Sequence, residues 1–93
     1  MIFDWDKNKA VANEKKHGVS FEEAQTAFDD YNALLIPDPD HCDDEVRFVL
    51  LGFSATLRML VVCHCYREQD EIIRIISARK STKKESETYE KRK

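Results

Sequence analysis

The 93-residue sequence contains few of the residues and patterns that mark several classes of protein. Two glycines and two prolines are too few for a low-complexity chain, and 42% hydrophobic residues indicate a globular protein rather than a disordered one. The longest apolar run, residues 59–63, is far too short to cross a bilayer. We therefore expect one domain over residues 1–93, with a frayed basic tail from about residue 91 to residue 93.

The sequence also has no recognisable targeting segment and few cysteines. Its first residues lack the basic start and the long apolar stretch of a signal peptide, so we expect a cytoplasmic protein. Three cysteines are an awkward number for a disulfide scaffold. Cys63 and Cys65 are two positions apart on one predicted strand, where a disulfide would strain the backbone. We therefore expect reduced, partly buried thiols.

Charge is distributed unevenly along the chain. Residues 1–45 hold twelve acidic side chains and four basic ones, whereas residues 46–93 hold eleven basic and six acidic ones. The net charge of −3 therefore combines about −8 in the first half with about +5 in the second. An acidic protein with its positive charge on one surface remains able to bind nucleic acid. A solvated basic tail is the plainer alternative for the last lysines and arginines.

Helix signals are clear in the first third of the sequence. Asp6 is placed to cap a helix over Lys7–His17, and Gly18 lies where a left-handed residue would end it. Ser20 and Glu23 form the pattern of a capping box, which predicts a second helix ending near residue 30.

The remaining pattern predicts strands and one last helix. The predicted strands cover residues 2–5, 33–36, 46–53, 57–66 and 71–78. Short links join the last three, which predicts an antiparallel meander. Thr82 and Glu85 form another capping box, before a polar helix. The order β-α-α-β-β-β-β-α predicts an α+β fold with a central, mostly antiparallel sheet.

Strand alternation predicts which side chains share a face. On the strand over residues 57–66, His64 lies on one side and Cys63, Cys65 and Arg67 on the other. On the following strand, alternation predicts one side shared by four residues: Ile73, Ile75, Ser77 and Arg79. Both sides of these strands are apolar at mid-length, so we expect helices to cover much of both faces of the sheet.

Histidine and cysteine side chains suggest a zinc site that the spacing argues against. The possible ligands are His41, Cys42, Cys63, His64 and Cys65. Structural zinc sites place paired ligands in tight turns, whereas strand alternation turns His64 away from its neighbouring thiols. No feature marks a cysteine as an activated nucleophile. We expect neither a metal nor another cofactor.

Arginines in the C-terminal half suggest phosphate chemistry. Arg47, Arg67, Arg74 and Arg79 each offer a planar fork of donors that suits phosphate oxygens. Cleavage of RNA through its ribose 2′-hydroxyl passes through a doubly charged phosphorane, which guanidinium groups stabilise. His64, Glu85 and Tyr89 are candidates for the proton transfers that this reaction needs. The plainer alternatives are ordinary surface ion pairs for the arginines and a packed core aromatic for Tyr89.

At these residues the sequence resembles the BrnT family of bacterial toxins, which is related in fold to RelE-type ribonucleases. The resemblance runs from Phe3 to Tyr89. Its pieces are Phe3-Asp4-Trp5-Asp6, Asn13 with Lys16-His17-Gly18, Ser20-Phe21-Glu22-Glu23-Ala24, Arg47-Phe48, Leu60-Val61-Val62-Cys63-His64 with Arg67, Ile73-Arg74-Ile75-Ile76-Ser77-Ala78-Arg79, Glu85 and Tyr89.

The resemblance implies a RelE-like fold and a metal-independent RNA-cleaving toxin. It also implies a ribbon-helix-helix antitoxin, BrnA-like, through which the complex binds operator DNA and represses its own operon. By position in the motifs, Arg67 and Arg79 would bind phosphate, with His64, Glu85 and Tyr89 in supporting or proton-transfer roles.

Other polar and basic residues are expected to contact RNA, and two other functions are possible for this sequence. The expected additional RNA-binding residues are Lys16, Arg47, Arg74, Ser77, Lys80, Lys83 and Lys84. The main alternative is a non-enzymatic binding module that acts as antitoxin partner and corepressor, since the acidic N-terminal half suits a basic antitoxin segment. Direct DNA binding is less favoured, because no predicted helix carries a dense basic face.

Overall fold

The computed structural model describes residues 2–38 and 46–92. Its elements, in chain order, are β1 (Ile2–Asp4), α1 (Lys7–His17), α2 (Phe21–Thr26), a 3-10 turn (Ala27–Asp29), β2 (Leu34–Pro37), β3 (Phe48–Phe53), β4 (Met59–Arg67), β5 (Ile72–Lys80) and α3 (Lys83–Arg92). The predicted α+β class and element order are confirmed. Helix α3 continues to Arg92, so most of the segment expected to fray is helical. Within the described ranges, no helix is long and apolar enough to span a membrane.

The five strands form one sheet in the order β1-β5-β4-β3-β2. The pairs β2–β3, β3–β4 and β4–β5 are antiparallel, which confirms the predicted meander. Strand β1 lies parallel to β5, with Phe3 beside Ile73. This long-range pairing makes β1 the edge strand on one side of the sheet, and β2 is the edge strand on the other.

The first two helices begin and end where the sequence predicts. The Asp6 carboxylate accepts hydrogen bonds from the amides of Asn8 and Lys9 at 2.8 and 3.1 Å. Gly18 ends α1 with φ of 70°, a left-handed conformation that glycine adopts without steric cost. Ser20 Oγ accepts a hydrogen bond from the Glu23 amide at 3.0 Å, which starts α2.

The core has two parts, one on each face of the sheet. The helix face, which carries α1 and α2, holds the larger cluster: Val19, Phe21, Ala24, Ala27, Leu50, Leu60, Val62, Ile73, Ile75 and Ala78. The α3 face holds a smaller cluster, in which Leu51, Val61 and Tyr89 are buried. Apolar side chains therefore occupy both faces, as predicted, and α3 covers only part of its face.

A register shift in β5 corrects the predicted faces of that strand. Cys63 pairs with Ser77 but His64 pairs with Ile75, so Ile76 is an extra residue opposite the step between them. Ile73 and Ile75 therefore lie on the helix face, whereas Ser77 and Arg79 lie on the α3 face, opposite Cys63 and Val61. The predicted common side for these four residues is wrong because a bulge interrupts the alternation.

A buried asparagine holds β5 just beyond this bulge. Strand β1 pairs with β5 only from Ile72 to Arg74, so the later edge of β5 needs other partners. Asn13 Nδ2 donates to the carbonyl oxygen of Ala78 at 2.8 Å, and Asn13 Oδ1 accepts from the Ala78 amide at 3.1 Å. The same Nδ2 donates to the Val19 carbonyl at 3.0 Å. The side chain thus takes the place of a neighbouring strand at Ala78 and links α1 to β5.

Replacing Asn13 with alanine is expected to destabilise the protein by about 2–4 kcal/mol, because it leaves buried backbone groups of Ala78 and Val19 without partners. Urea unfolding followed by circular dichroism measures the change. Asn8→Ala, an exposed position on the same helix, is the matched control and should change stability by less than about 0.5 kcal/mol. Equal stability of the two variants would contradict this role for Asn13.

A second polar cluster joins the start of α2 to the β3–β4 turn. The Glu23 carboxylate accepts hydrogen bonds from Arg58 Nε and Ser54 Oγ at 2.8 Å and from Thr56 Oγ1 at 2.7 Å. Arg58 Nη2 also donates to the Gly18 carbonyl at 3.0 Å. The hydrogen bonds from Arg58 lower the pKa of Glu23 to about 2. The Glu23 carboxylate therefore holds the β3–β4 turn. It does not accept the hydrogen bond from the Ser20 amide that would complete the capping box.

This pKa predicts how acid affects stability. Because folding lowers the pKa of Glu23 from 4.5 to about 2, its contribution is complete above pH 4.5 and is lost as the pH falls toward 2. The contribution at neutral pH is about 1 kcal/mol, since solvent screens the pair. In urea unfolding at pH 7 and pH 3, Glu23→Gln should lose stability at pH 7 and show a smaller acid-induced drop. Glu22→Gln, an exposed neighbour, should follow the wild type at both pH values.

Candidate functional site

The α3 face gathers the arginines of β4 and β5 together with Arg47. Alternation from Val61 places Cys63, Cys65 and Arg67 on this face of β4. The pairing of Arg74 with Cys65 and of Arg79 with Val61 places both arginines there too. Arg47 precedes Phe48, which stacks on His64 on the helix face, so Arg47 belongs to the α3 face. We call Arg47, Arg67, Arg74 and Arg79 the arginine strip.

Arg79 and Glu85 form the central contact of this face. Arg79 Nη1 and Nη2 donate to the two carboxylate oxygens of Glu85 at 2.8 and 2.9 Å. Glu85 is itself held by the start of α3, since its Oε1 accepts from the Thr82 amide at 2.8 Å and its amide donates to Thr82 Oγ1 at 3.2 Å. The predicted capping box at Thr82 is therefore present in both directions. Arg79 is 41% exposed, so the guanidinium is oriented and still open to solvent.

The electrostatics of this pair follow from its geometry. The hydrogen bonds from Arg79 lower the pKa of Glu85 to about 2, and Glu85 raises the pKa of Arg79 above its usual value. Both groups are therefore charged at neutral pH. An anion that binds Arg79 has to share the guanidinium with Glu85 or displace it.

The other members of the arginine strip differ in their surroundings. Arg74 forms an ion pair with Asp4 of the adjacent strand β1. Arg67 is exposed at the end of β4, two positions beyond Cys65. The pairing with Asp4 reduces the positive charge that Arg74 offers, whereas Arg67 extends the basic surface toward the β4–β5 turn.

A thiol and a carboxylate lie within the arginine strip. Cys63 Sγ donates a weak hydrogen bond to Asp38 Oδ2 at 3.8 Å. Burial, followed by the charge of Asp38, raises the pKa of the Cys63 thiol, while the charge of Arg47 acts in the opposite direction. A raised pKa keeps the thiol protonated and unreactive at neutral pH. Both Cys63 and Cys65 are free thiols.

His64 lies on the helix face, away from the arginine strip. Its ring is fully buried, with centroid distances of 4.8 Å to Phe28 and 5.3 Å to Tyr66. Nδ1 lies 3.1 Å from the Val62 carbonyl oxygen, which only accepts, so the proton belongs on Nδ1. Burial lowers the pKa of His64, which keeps the ring neutral. The structure therefore places His64 on the face opposite Arg67 and Arg79. These two arginines share a face but are about 20 Å apart, because Arg79 pairs with Val61, six residues before Arg67 on β4.

Tyr89 is a core residue of α3. It is 2% exposed, packs edge-on against Phe53 at 5.3 Å, and donates a hydrogen bond from its hydroxyl to Asp30 Oδ2 at 2.7 Å. The same oxygen accepts from the Phe53 amide at 2.9 Å. Burial, together with the hydrogen bond to Asp30, raises the pKa of Tyr89 to about 12. Tyr89 thus anchors α3 to the sheet, one turn of helix away from Glu85.

The predicted RNA-binding residues separate into three groups. Arg47, Arg74 and Ser77 lie on the α3 face. Lys83 and Lys84 are exposed in the first turn of α3, beside the arginine strip. Two others lie apart from it: Lys80 pairs with Leu60, whose side chain packs on the helix face, and Lys16 is on α1.

Three residues that shape this site were given no role from the sequence. They are Asp4, Asn13 and Asp38. Each acts through a partner far away in the chain, so no local spacing indicates its role. A polar residue at a core position of the helix pattern is the one available signal, and it applies to Asn13.

The zinc interpretation finds no support in the described ranges. There, no group of three or more His, Cys, Asp or Glu side chains is placed to hold a metal ion. The other candidate ligands, His41 and Cys42, lie outside the described residues.

Comparisons with known proteins agree on one family. A family model described as the ribonuclease toxin BrnT of type II toxin-antitoxin systems matches residues 5–85. A search of curated proteins gives no match. Among solved structures, the Brucella abortus ribonuclease toxin BrnT is 22% identical, with a TM-score of 0.65 over 89% of this chain and 100% of that chain. The structural likeness shows the shared fold, and the family match shows that this chain belongs to the BrnT family of ribonuclease toxins of type II toxin-antitoxin systems.

Proposed function

We propose that the chain is a metal-independent endoribonuclease whose Arg79 binds the scissile phosphate on the α3 face, while Arg67, about 20 Å further along the same face, binds the RNA backbone. The observation that carries this proposal is the bulge at Ile76, which turns Arg79 onto the face that holds Arg67 and fixes it against Glu85. Family membership makes it a ribonuclease toxin, and the geometry suggests how such a site would work.

The reaction uses the RNA's own 2′-hydroxyl as nucleophile. Its oxygen forms a bond to phosphorus while the bond from phosphorus to the 5′-oxygen breaks. The hydroxyl proton goes to a base, and the leaving 5′-oxygen takes a proton from water. The products carry a 2′,3′-cyclic phosphate and a 5′-hydroxyl. The Arg79 guanidinium stabilises the extra negative charge of the transition state more than the charge of the substrate, which accelerates the reaction without a metal.

Glu85 is the proton acceptor in this proposal. While it is hydrogen-bonded to Arg79 its pKa is about 2, which makes it a weak base. A phosphate that binds Arg79 removes part of this stabilisation and adds a nearby negative charge, and both effects raise the pKa of Glu85. Substrate binding therefore activates the base. His64 and Tyr89 support the fold on either side of the sheet and do not transfer protons.

The proposed function also includes further RNA contacts and a protein partner. Arg47, Arg74, Ser77, Lys83 and Lys84 hold the RNA on either side of the scissile phosphate. A type II system implies an antitoxin protein as partner. We take this antitoxin to be a BrnA-like ribbon-helix-helix protein, which also carries operator binding. RNA cleavage by the free toxin would inhibit translation in the cytoplasm.

One observation favours the alternative of a binding module without turnover. Arg74 is already paired with Asp4, and Arg79 with Glu85. If RNA fails to displace these carboxylates, the chain would serve as antitoxin partner and corepressor alone.

Arg79→Ala is expected to lower RNA cleavage by about 100-fold or more, since it removes a donor to the transition state. The assay uses purified protein and a long single-stranded RNA in EDTA, with detection of 2′,3′-cyclic phosphate ends. Lys15→Ala, which removes one exposed positive charge from α1, is the control and should cut at the wild-type rate. A folded Arg79→Ala variant with wild-type activity would overturn the proposed site. If the wild type is inactive, translating ribosomes are added, and inactivity there too favours the binding module.

His64→Phe is expected to keep cleavage within about threefold of wild type, because the ring lies on the opposite face and is neutral. Stability should fall, so the rate is measured at low temperature and expressed per folded molecule from circular dichroism. The pH–rate profile of both proteins should lack a limb near the ordinary histidine pKa. A folded variant that loses two orders of magnitude in rate would restore His64 to the reaction.

A further inference from the structure

Strand β2 presents an open edge. It lies at the end of the sheet and, among the described residues, pairs only with β3. The Asp38 amide donates to the Arg47 carbonyl at 2.9 Å, which fixes the alternation of the hydrogen-bonded pairs. Ile36 and Leu34 therefore bond to β3, whereas the N–H and C=O of Leu35 and the C=O of Pro37 point away from the sheet.

Apolar side chains flank this edge on both faces. Leu35 is 50% exposed on the helix face, and Ile36 is 42% exposed on the α3 face. Ile36 lines a cleft of about 160 Å³ together with Val49, Leu51, Val61, Glu85 and Thr88. Edge strands in soluble proteins are protected by charged side chains, short length or proline. Strand β2 has no charged side chain within Leu34–Pro37, and Pro37 at its end leaves the outward N–H and C=O of Leu35 open. This combination is typical of a strand that pairs with another chain.

The charge of the residues next to β2 indicates what kind of chain would pair with this strand. Asp29, Asp30 and Asp38 flank β2 in the chain, and residues 29–38 include no lysine or arginine. Strand addition by a second copy of this chain would bring two such segments together, which like-charge repulsion opposes. A segment with basic side chains would be attracted instead.

We propose that the open edge of β2 binds an extended segment of the antitoxin that carries an apolar and a basic side chain two positions apart, and therefore on the same face. This proposal rests on the assignment of the chain as a toxin with an antitoxin partner. The segment adds a strand beside β2 through the outward groups of Leu35 and Pro37. One apolar side chain fills the cleft beside Ile36. A basic side chain on the same face reaches Glu85 and competes with Arg79, so binding at the edge disturbs the proposed catalytic pair and blocks the phosphate site.

The test measures antitoxin affinity by isothermal titration calorimetry, with the protein encoded beside this chain as the probe. Leu35→Pro removes the outward N–H and keeps the bonds to β3, so we expect about tenfold weaker binding or more. Leu35→Lys should weaken binding more than Leu35→Glu, because lysine repels a basic segment and glutamate attracts it. Leu57→Lys is the matched control at an exposed leucine in the β3–β4 turn, and it should bind like wild type.

A second readout is the hydrogen exchange of the Leu35 amide, followed by NMR. Addition of the antitoxin should slow it, since an added strand accepts this hydrogen. Unchanged affinity of Leu35→Pro and unchanged exchange at Leu35 would overturn the proposal. Dimerisation of the wild type that Leu35→Pro abolishes would also overturn it, in favour of a second copy at the edge.

RNA cleavage by the same variants separates this proposal from the ribonuclease mechanism. All Leu35 variants should cut RNA at the wild-type rate without antitoxin, because Leu35 lies outside the arginine strip. If the wild type does not cut RNA but the variants lose antitoxin affinity as expected, the catalytic proposal fails and the edge assignment stands. If the wild type cuts RNA and all variants keep full affinity, the reverse holds.

Discussion

Strand β5 has to place apolar side chains on one face of the sheet and an arginine on the other within nine residues. Ile73 and Ile75 belong to the core beneath α1 and α2, while Arg79 has to reach the other face. Strict alternation would place all three on the same side. The extra residue at Ile76 resolves the conflict, because it reverses the faces for the rest of the strand. The positions of Ser77 and Arg79 on the α3 face both depend on this one bulge.

Two polar contacts hold the strand and the helix on either side of the bulge. Asn13 bonds both backbone groups of Ala78, which fixes β5 one residue before Arg79. Tyr89 bonds Asp30 and thereby fixes α3, which carries Glu85. The distance between Arg79 and Glu85 is therefore set from both sides by buried groups. A site held in this way does not have to be ordered by the substrate, which lowers the entropic cost of forming it.

The sequence predicts the local features of this protein better than its long-range ones. Asp6, Gly18 and Ser20 mark helix ends because their hydrogen bonds span only a few residues. The bulge at Ile76 and the parallel pairing of β1 depend on strands far apart in the chain, and no spacing encodes them. The same limit explains why the sequence could not show which arginines share a face with His64. Alternation correctly places His64 and Arg67 on opposite sides of β4, but it places Arg79 on the wrong side of β5.

The charge asymmetry of the chain fits two ligands of opposite sign. Arg67 and Arg79 suit an anionic backbone, and the acidic residues that flank β2 in the chain, such as Asp29 and Asp38, suit a cationic segment. Glu85 connects the two surfaces, because it both pairs with Arg79 and lines the cleft beside Ile36. A cation at Glu85 and a phosphate at Arg79 would each break the same ion pair but leave a different group without its partner. Since a cation at Glu85 would stabilise its charged form, it would also keep its pKa low and prevent it from acting as a base. One ion pair can therefore serve as the point where substrate activates the enzyme and antitoxin silences it.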